Sequence, residues 1–385
     1  MSISIISAST GNGHNAVMNT LAEAFKKEYA VKCYPSFYED LLPSNRTLSN
    51  FYNLLQKASI ALCKKYTELA IFEGKETQNR LYESCYDALD AFVRKEEHDA
   101  IISTTPLLNR FMIRYLKENS FSEKIPFYIV VTDPYYPIYP GFEEMGATRY
   151  FCANDVVKSI LLDAGVEADK INVFGYPIAD KFCRMPSENE KMNIYKEYGL
   201  KDGKPVLLMN SGAQGSFHYL NIIKAIAPKY RLNFQLIVIC GKNKGLFRAT
   251  QLYCHKNGIE NIVVLPYINN MEELLYISDA CITKAGANMV YECLLACTPL
   301  IIDSTEGLLY QEQGIVQFLK KYSIGYVFED TEALNNILHA LDSDGLTEQL
   351  KRNIGAMHLV NGTEKIVNSI LNDISVSNTA NEVKG

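Results

Sequence analysis

The sequence predicts an α/β protein made of two Rossmann-like halves, each a parallel sheet covered by helices on both faces. Three observations predict it. Short continuous apolar runs alternate with amphipathic stretches nearly throughout, as in parallel sheets buried on both faces. The alternation pauses at a polar stretch, "RMPSENEKMNIYKEYGLKDGKP", and then restarts. At 385 residues the chain is longer than a single core usually serves, so two domains are favoured.

Taken in order, the first half opens with a β-branched run at residues 3–8, helical periodicity over 12–29 and a short strand at 30–34. Strands at 100–103, 127–131, 149–152 and 171–174 follow, with helices at 107–117 and 155–164. Residues 47–95 break the series and read as a helical insertion. Its portion "FYNLLQKASIALCKKYTELA" has apolar residues at helical spacing with lysines interleaved. The plainer reading is a stripe packed on its own domain; the alternative is a face that dips into lipid or grips a hydrophobic substrate. The second half supplies strands at 206–210, 235–240, 261–265, 280–283, 300–302 and 325–328. The divisions are a domain over 1–183, a linker over 184–204, a domain over 205–361, a helix over 362–374 and a disordered tail over 375–385.

Composition excludes some functions. A formal charge of −6 argues against bulk electrostatic binding of nucleic acid. The ten cysteines are scattered without a C-x-x-C pair, and Cys293 and Cys297 share one helix face; they read as buried, reduced thiols. No apolar run reaches the roughly 20 residues that span a bilayer, and "SISIISAS" is too short for a signal peptide. The expected location is the cytoplasm, with attachment to a membrane surface left open.

Two sets of residues carry chemistry. The turn Gly11-Asn-Gly13-His14-Asn-Ala16 fits a dinucleotide fingerprint, but the next strand, "AVKCYPSF", lacks the acidic residue that would hold a ribose. What remains is a tight turn that places His14 at a helix N-terminus, where a neutral imidazole can take a proton. In the second half "MNSGAQGS" (with Ser211 and Gly212) and "ICGKN" (with Gly241, Lys242 and Asn243) end strands with loops able to hold phosphate. "ITKAGANMVYE" adds Lys284, Gly286, Ala287 and Asn288, with Glu292 placed to accept from ribose hydroxyls. "EGLLYQEQG" sets Gln311 and Glu312 where an amide and a carboxylate can grip a sugar. All lie at carboxyl ends of expected parallel strands, where ligands bind in open α/β sheets.

These residues, with "VTDPYY" and "FGYPI", resemble the lipid-glycosylating glycosyltransferases of GT-B fold: the monogalactosyldiacylglycerol synthases and processive diacylglycerol glucosyltransferases, with the lipid II N-acetylglucosaminyltransferase as a distant relative. The resemblance runs from residue 3 to about 374. It implies two Rossmann-like domains whose parallel sheets face a cleft, and inverting transfer of a hexose from a UDP-sugar to a lipid hydroxyl, diacylglycerol foremost, at an anionic membrane surface. It places Ser211, Gly212 and Gly286 at the phosphates and Glu292 at the ribose. Gly13, Gly241, Lys242, Asn243, Ile268, Lys284, Ala287 and Asn288 complete the donor set, with Gln311 and Glu312 at the sugar. His14 and Asp133 face the acceptor, either being the base, and the last helix packs back across the N-terminal domain. The chain departs from the pattern in "TDPYYPIYPGFEE", which has three tyrosines and no histidine, in Ile315 after "QEQG", and in the longer "EGLLYQE".

No metal or other cofactor is expected, since helix N-termini and glycine loops can stabilise a departing diphosphate. The one Asp-x-Asp, Asp342-Ser-Asp344, reads as a solvated turn. Two other readings compete. A UDP-sugar 2-epimerase needs more acid–base groups than His14, His218 and a few carboxylates offer, and a nucleotide-sugar sensor leaves the complete His14 turn unexplained.

Overall fold

A computed structural model of the chain describes residues 2–9, 13–26, 29–58, 62, 65, 75–210, 212–227, 234–342 and 345–382. Among these, β1 (Ser2–Ile6), β2 (Ala30–Tyr34), β3 (Ala100–Ser103), β4 (Phe127–Val130), β5 (Arg149–Cys152) and β6 (Ile171–Val173) form one sheet, in the order β2-β1-β3-β4-β5-β6. A second sheet holds β7 (Val206–Asn210), β8 (Gln235–Ile239), β9 (Ile262–Leu265), β10 (Ala280–Thr283), β11 (Leu300–Asp303) and β12 (Gly325–Phe328), ordered β12-β11-β10-β7-β8-β9. All neighbouring strands are parallel. The expected α/β architecture of two parallel sheets is present.

Periodicity explains how the helices sit. Helix Gly13–Phe25 buries Val17, Met18, Leu21, Ala22 and Phe25, one face at helical spacing, against the first sheet. Helix Ala287–Leu295 does the same in the second half with Val290, Tyr291, Cys293 and Leu294. One apolar cluster runs through both halves, from Ile3 and Tyr128 to Ile237 and Ile302. Helix Thr363–Glu382 returns to the first domain, packing on Gly13–Phe25 and anchored by a two-pronged Arg149–Asp373 pair at 2.6 and 2.8 Å.

Where the chain leaves the first domain it runs beside its own return. Gly175, at φ +100°, has no room for a side chain: a Cβ there would lie 2.1 Å from the Val360 carbonyl oxygen. Asn361 bonds both the N–H and the carbonyl of Ile178, at 3.1 and 2.7 Å, and closes this crossing.

Some expectations need correction. The polar stretch at 184–204 is not wholly a linker, because helix Glu188–Glu197 forms within it. Ser187 and Glu190 make a capping box there, satisfying two backbone N–H groups the helix start leaves open. The tail expected to be disordered from 375 continues the last helix to Glu382, with 383–385 outside the described residues. The insertion contains helices Pro43–Ala58 and Lys75–Lys95. Most of 59–74, with Lys64, lies outside the described residues, as do the Lys57 side chain and part of the Asp342-Ser-Asp344 turn. No helix among the described residues is long and apolar enough to cross a membrane.

Candidate active site

In each sheet the strand order reverses beside the first strand, and both switch points open onto one cavity of about 790 Å³ between the domains. Such reversals leave a crevice at the carboxyl ends of the strands, and a volume of this size suits a small-molecule ligand. From the first domain come Gly13, His14, Thr132, Asp133 and Tyr135; from the second, Gly212, Lys284, Gly286, Ala287, Gln311 and Glu312. Beyond His14 the wall turns apolar, with Leu48, Tyr52, Leu81, Leu107 and Phe111 from the insertion and the helix after β3. Arg110 and Glu144, joined by an ion pair, stand at that end.

His14 is held by its neighbours. Its Nδ1 lies 2.9 Å from Thr132 Oγ1, which gives its own hydrogen to the Thr104 carbonyl at 3.5 Å. In the tautomer with the proton on Nδ1, that nitrogen donates to Thr132 and Nε2 is a bare lone pair. Burial lowers the imidazole to about 4, opposed by the hydrogen bond to the Thr104 backbone, so it is neutral near pH 7. Asp133 is shifted the other way: burial raises its carboxyl to about 7, the Tyr139 N–H at 2.8 Å opposes this and Glu312 adds to it. Glu312 is itself raised by burial while accepting from the Leu309 N–H at 3.0 Å. Gln311 Oε1 is buried and finds no hydrogen-bond partner among the described residues. A buried acceptor left open on a cavity wall is one a bound ligand can satisfy.

Not every residue expected at the donor lines this cavity. Asn288 spans the seam: its Nδ2 donates to the Gly13 carbonyl at 2.8 Å, and its Oδ1 accepts from the Tyr176 hydroxyl at 2.9 Å. Glu292 lies one turn further along the same helix, half-buried, where burial raises it to about 7, Lys181 opposing and Glu272 adding. Ile268, just after β9 in the chain, packs partly buried against the main core. Lys242 and Asn243 line a second, polar pocket of about 580 Å³ with His218 and Glu306. Asn243 caps the following helix through the Leu246 N–H at 2.9 Å. Gly241 supports the loop, since a Cβ there would lie 2.6 Å from the Gly212 and Ala213 carbonyl oxygens. Ser211 lies outside the described residues.

The pairing of tyrosines across the seam was not foreseen. Tyr176 stacks on Tyr291 across the domains at 4.6 Å, and Tyr135 packs on Phe318 at 5.0 Å. Gly314 lets them close, because a Cβ there would lie 2.4 Å from the Tyr136 carbonyl oxygen. The run "DPYYP" was the available signal, but proximity to a second domain cannot be read from it.

Known proteins place this arrangement. Residues 14–178 match the family model for monogalactosyldiacylglycerol (MGDG) synthase, and residues 206–354 match the glycosyltransferase family 28 C-terminal domain. The chain is a glycosyltransferase whose C-terminal domain is of the family 28 type. A processive diacylglycerol beta-glucosyltransferase of Bacillus pumilus is 26% identical over 378 residues, covering 96% of this chain and 94% of the relative. The fold of the glycosyltransferase is shared with MurG of Acinetobacter baumannii (TM-score 0.62, 15% identity, 96% and 99% of the two chains). It is also shared with the UDP-GlcNAc 2-epimerase of Neisseria meningitidis (TM-score 0.61, 12% identity, 97% and 100%). The two parallel sheets facing a cleft are thus a GT-B fold.

Proposed function

We propose that this glycosyltransferase moves a hexose from a UDP-sugar to the hydroxyl of a lipid acceptor, diacylglycerol foremost, with inversion. The observation that carries the reading is the two-sided cavity: glycine loops and a lysine from the second domain, and aliphatic and aromatic side chains with His14 from the first. The name of the Bacillus pumilus relative supports the acceptor class.

In this reading the diphosphate lies against Gly212 and the N-terminus of helix Ala287–Leu295, where Lys284 and unpaired N–H groups favour its charge. Gln311 and Glu312 hold sugar hydroxyls. The acceptor's chains occupy the apolar wall and its hydroxyl meets His14 Nε2. As that oxygen bonds to the anomeric carbon, the carbon–phosphate oxygen bond breaks on the opposite face and its electron pair leaves with UDP. The hydroxyl proton passes to Nε2. Lys284 and the loops supply the stabilisation a cation would otherwise give, so activity is expected to survive EDTA; loss on chelation with recovery on adding Mg²⁺ would refute this step.

The decisive experiment is a panel of UDP-sugars incubated with lipid extract, with products read by mass. A hexosyl-lipid is expected. A changed sugar without acceptor would instead indicate 2-epimerisation, which Asp133 and Glu312 beside His14 make worth the control.

A further inference from the structure

The polar pocket beside the main cavity contains a side-chain cluster that the transfer step above does not use. His218 opens helix His218–Ile226. Its Nε2 lies 2.7 Å from Thr305 Oγ1 and 3.2 Å from Asp303 Oδ2. Thr305 Oγ1 donates its hydrogen to Asp303 Oδ1 at 2.6 Å, and the Thr305 N–H bonds the same oxygen at 3.0 Å. The threonine oxygen must therefore accept from the imidazole, so Nε2 carries a proton and Nδ1 is the nitrogen that titrates. Asp303 is only 8% exposed at the end of β11, a buried carboxylate that holds the ring in place.

The surroundings are arranged for an anion. One loop, 212–217, borders both this pocket and the main cavity, with Gly212 lining the cavity and Gln214 and Ser216 lining the pocket. Lys242 lines the pocket and Lys284 the cavity. Neither has a carboxylate within ion-pair distance among the described residues, although ion pairs hold many cations elsewhere. Lys242 instead lies over the Tyr267 ring at 5.4 Å. Two unpaired lysines and a carboxylate-backed histidine thus surround one glycine loop.

We propose that His218 is a phosphate-binding residue of the donor site, and that UDP binds there together with a proton taken up at Nδ1. The inference rests on the UDP-sugar reading of the site. The groups facing the imidazole set its direction. The hydrogen bond to Asp303 raises it above the ordinary histidine range, burial opposes, the charges of Asp303 and Glu306 add, and Lys284 subtracts. A diphosphate brings further negative charge and raises it more. Below the free-state value the ring is already charged, so binding takes up nothing. Between the two values the ring gains a proton on binding, and affinity falls as pH rises; above the bound-state value the ring stays neutral and affinity levels off.

The test is calorimetry of UDP binding to the full chain near pH 7.5, in buffers of different ionisation enthalpy. The wild-type chain should take up a fraction of a proton with UDP and none with uridine, which lacks phosphate. His218→Gln should abolish the uptake and weaken UDP binding roughly tenfold. If UDP does not bind the wild-type chain, the donor reading itself fails. If UDP binds and His218→Gln takes up the same proton, the uptake belongs to Asp133, near 7, and this inference is overturned. Should the variant not fold, a histidine NMR titration of the wild-type chain decides. One imidazole pKa must rise on adding UDP, and if none moves the proposal falls.

Discussion

Numbered from its own first strand, the C-terminal sheet runs 3-2-1-4-5-6, whereas the N-terminal sheet runs 2-1-3-4-5-6. Where the second domain lays β9 at its edge, the first has helices Pro43–Ala58 and Lys75–Lys95 between β2 and β3. The exchange has chemical consequences. The helices bring Leu48, Tyr52 and Leu81 to the cavity and give the first domain its apolar wall. The second domain keeps only short loops at its strand ends, and these present backbone, amides and Lys284. The titratable groups divide accordingly: His14 lowered and Asp133 raised by burial on one side, Glu312 raised beside Lys284 on the other.

The most severe way to break this division is at His14. A general base contributes typically about 10²–10⁴-fold to rate, so His14→Ala should lower turnover by that order while UDP affinity, set in the other domain, stays nearly unchanged. His14→Gln should lose as much, since an amide can replace the hydrogen bond but not the base. Near-normal turnover in Gln would reduce the histidine to a positioning role and move the base to Asp133. The pH profile separates the two independently. A neutral His14 is competent down to about 4, whereas Asp133 must deprotonate near 7. An acid limb near 7 that disappears in Asp133→Asn would favour the aspartate.

Glu292 probes the other side. If it accepts from the ribose, Glu292→Ala removes charge-assisted hydrogen bonds worth roughly 1.5–3 kcal/mol, or about one to two orders of magnitude in donor affinity. Its carboxyl is raised to about 7, so in a His218→Gln background donor binding should strengthen as pH rises through that value. Equal UDP affinity in wild type and variant would move the ribose away from this helix.

How far the sequence carried these conclusions depends on the range of the interaction. All twelve strands were legible, because a buried parallel strand is written in a few consecutive apolar residues, as in "AIIS" and "ACIT". His14, Gly212, Gly286 and Glu312 were legible because a glycine turn at a strand end is local. The partners of Asn288 were not legible, since Gly13 and Tyr176 are more than a hundred residues away. The Asp303–Thr305–His218 cluster was hidden for the same reason: nothing near His218 in sequence announces a carboxylate at the end of β11. Helix Glu188–Glu197 was missed because its polar composition resembles a linker; only its capping box marks it.

A smaller effect sharpens the comparison at Asp133. Its carboxyl titrates near 7 in the folded chain and near 3.8 when unfolded. Stability is thus complete below the unfolded value and lost as pH rises through the folded one. Asp133→Asn removes that charge while its amide oxygen can still accept from Tyr139. Thermal melts should show the variant stabilised by on the order of 1–3 kcal/mol at pH 8 and by much less at pH 4. An equal effect at both values would mean that packing, not ionisation, distinguishes the variant.

The mildest test concerns the helices that replace the third strand. Helix Pro43–Ala58 leaves Phe51 47% and Leu54 61% exposed, one turn from Leu48 and Tyr52 in the cavity wall. A lipid acceptor entering between these residues would bring the helix against the bilayer surface, where partial burial of each apolar side chain is worth about 1 kcal/mol. Phe51→Ser and Leu54→Ser should therefore each weaken vesicle binding roughly fivefold and leave UDP affinity unchanged. Lys65, exposed beyond the helix, should add an electrostatic share, so binding to anionic vesicles should fall as salt rises. Sedimentation with neutral and anionic vesicles at two salt concentrations reads both contributions. If neither substitution changes the bound fraction, the apolar wall is entered from another side and the insertion serves the first domain alone.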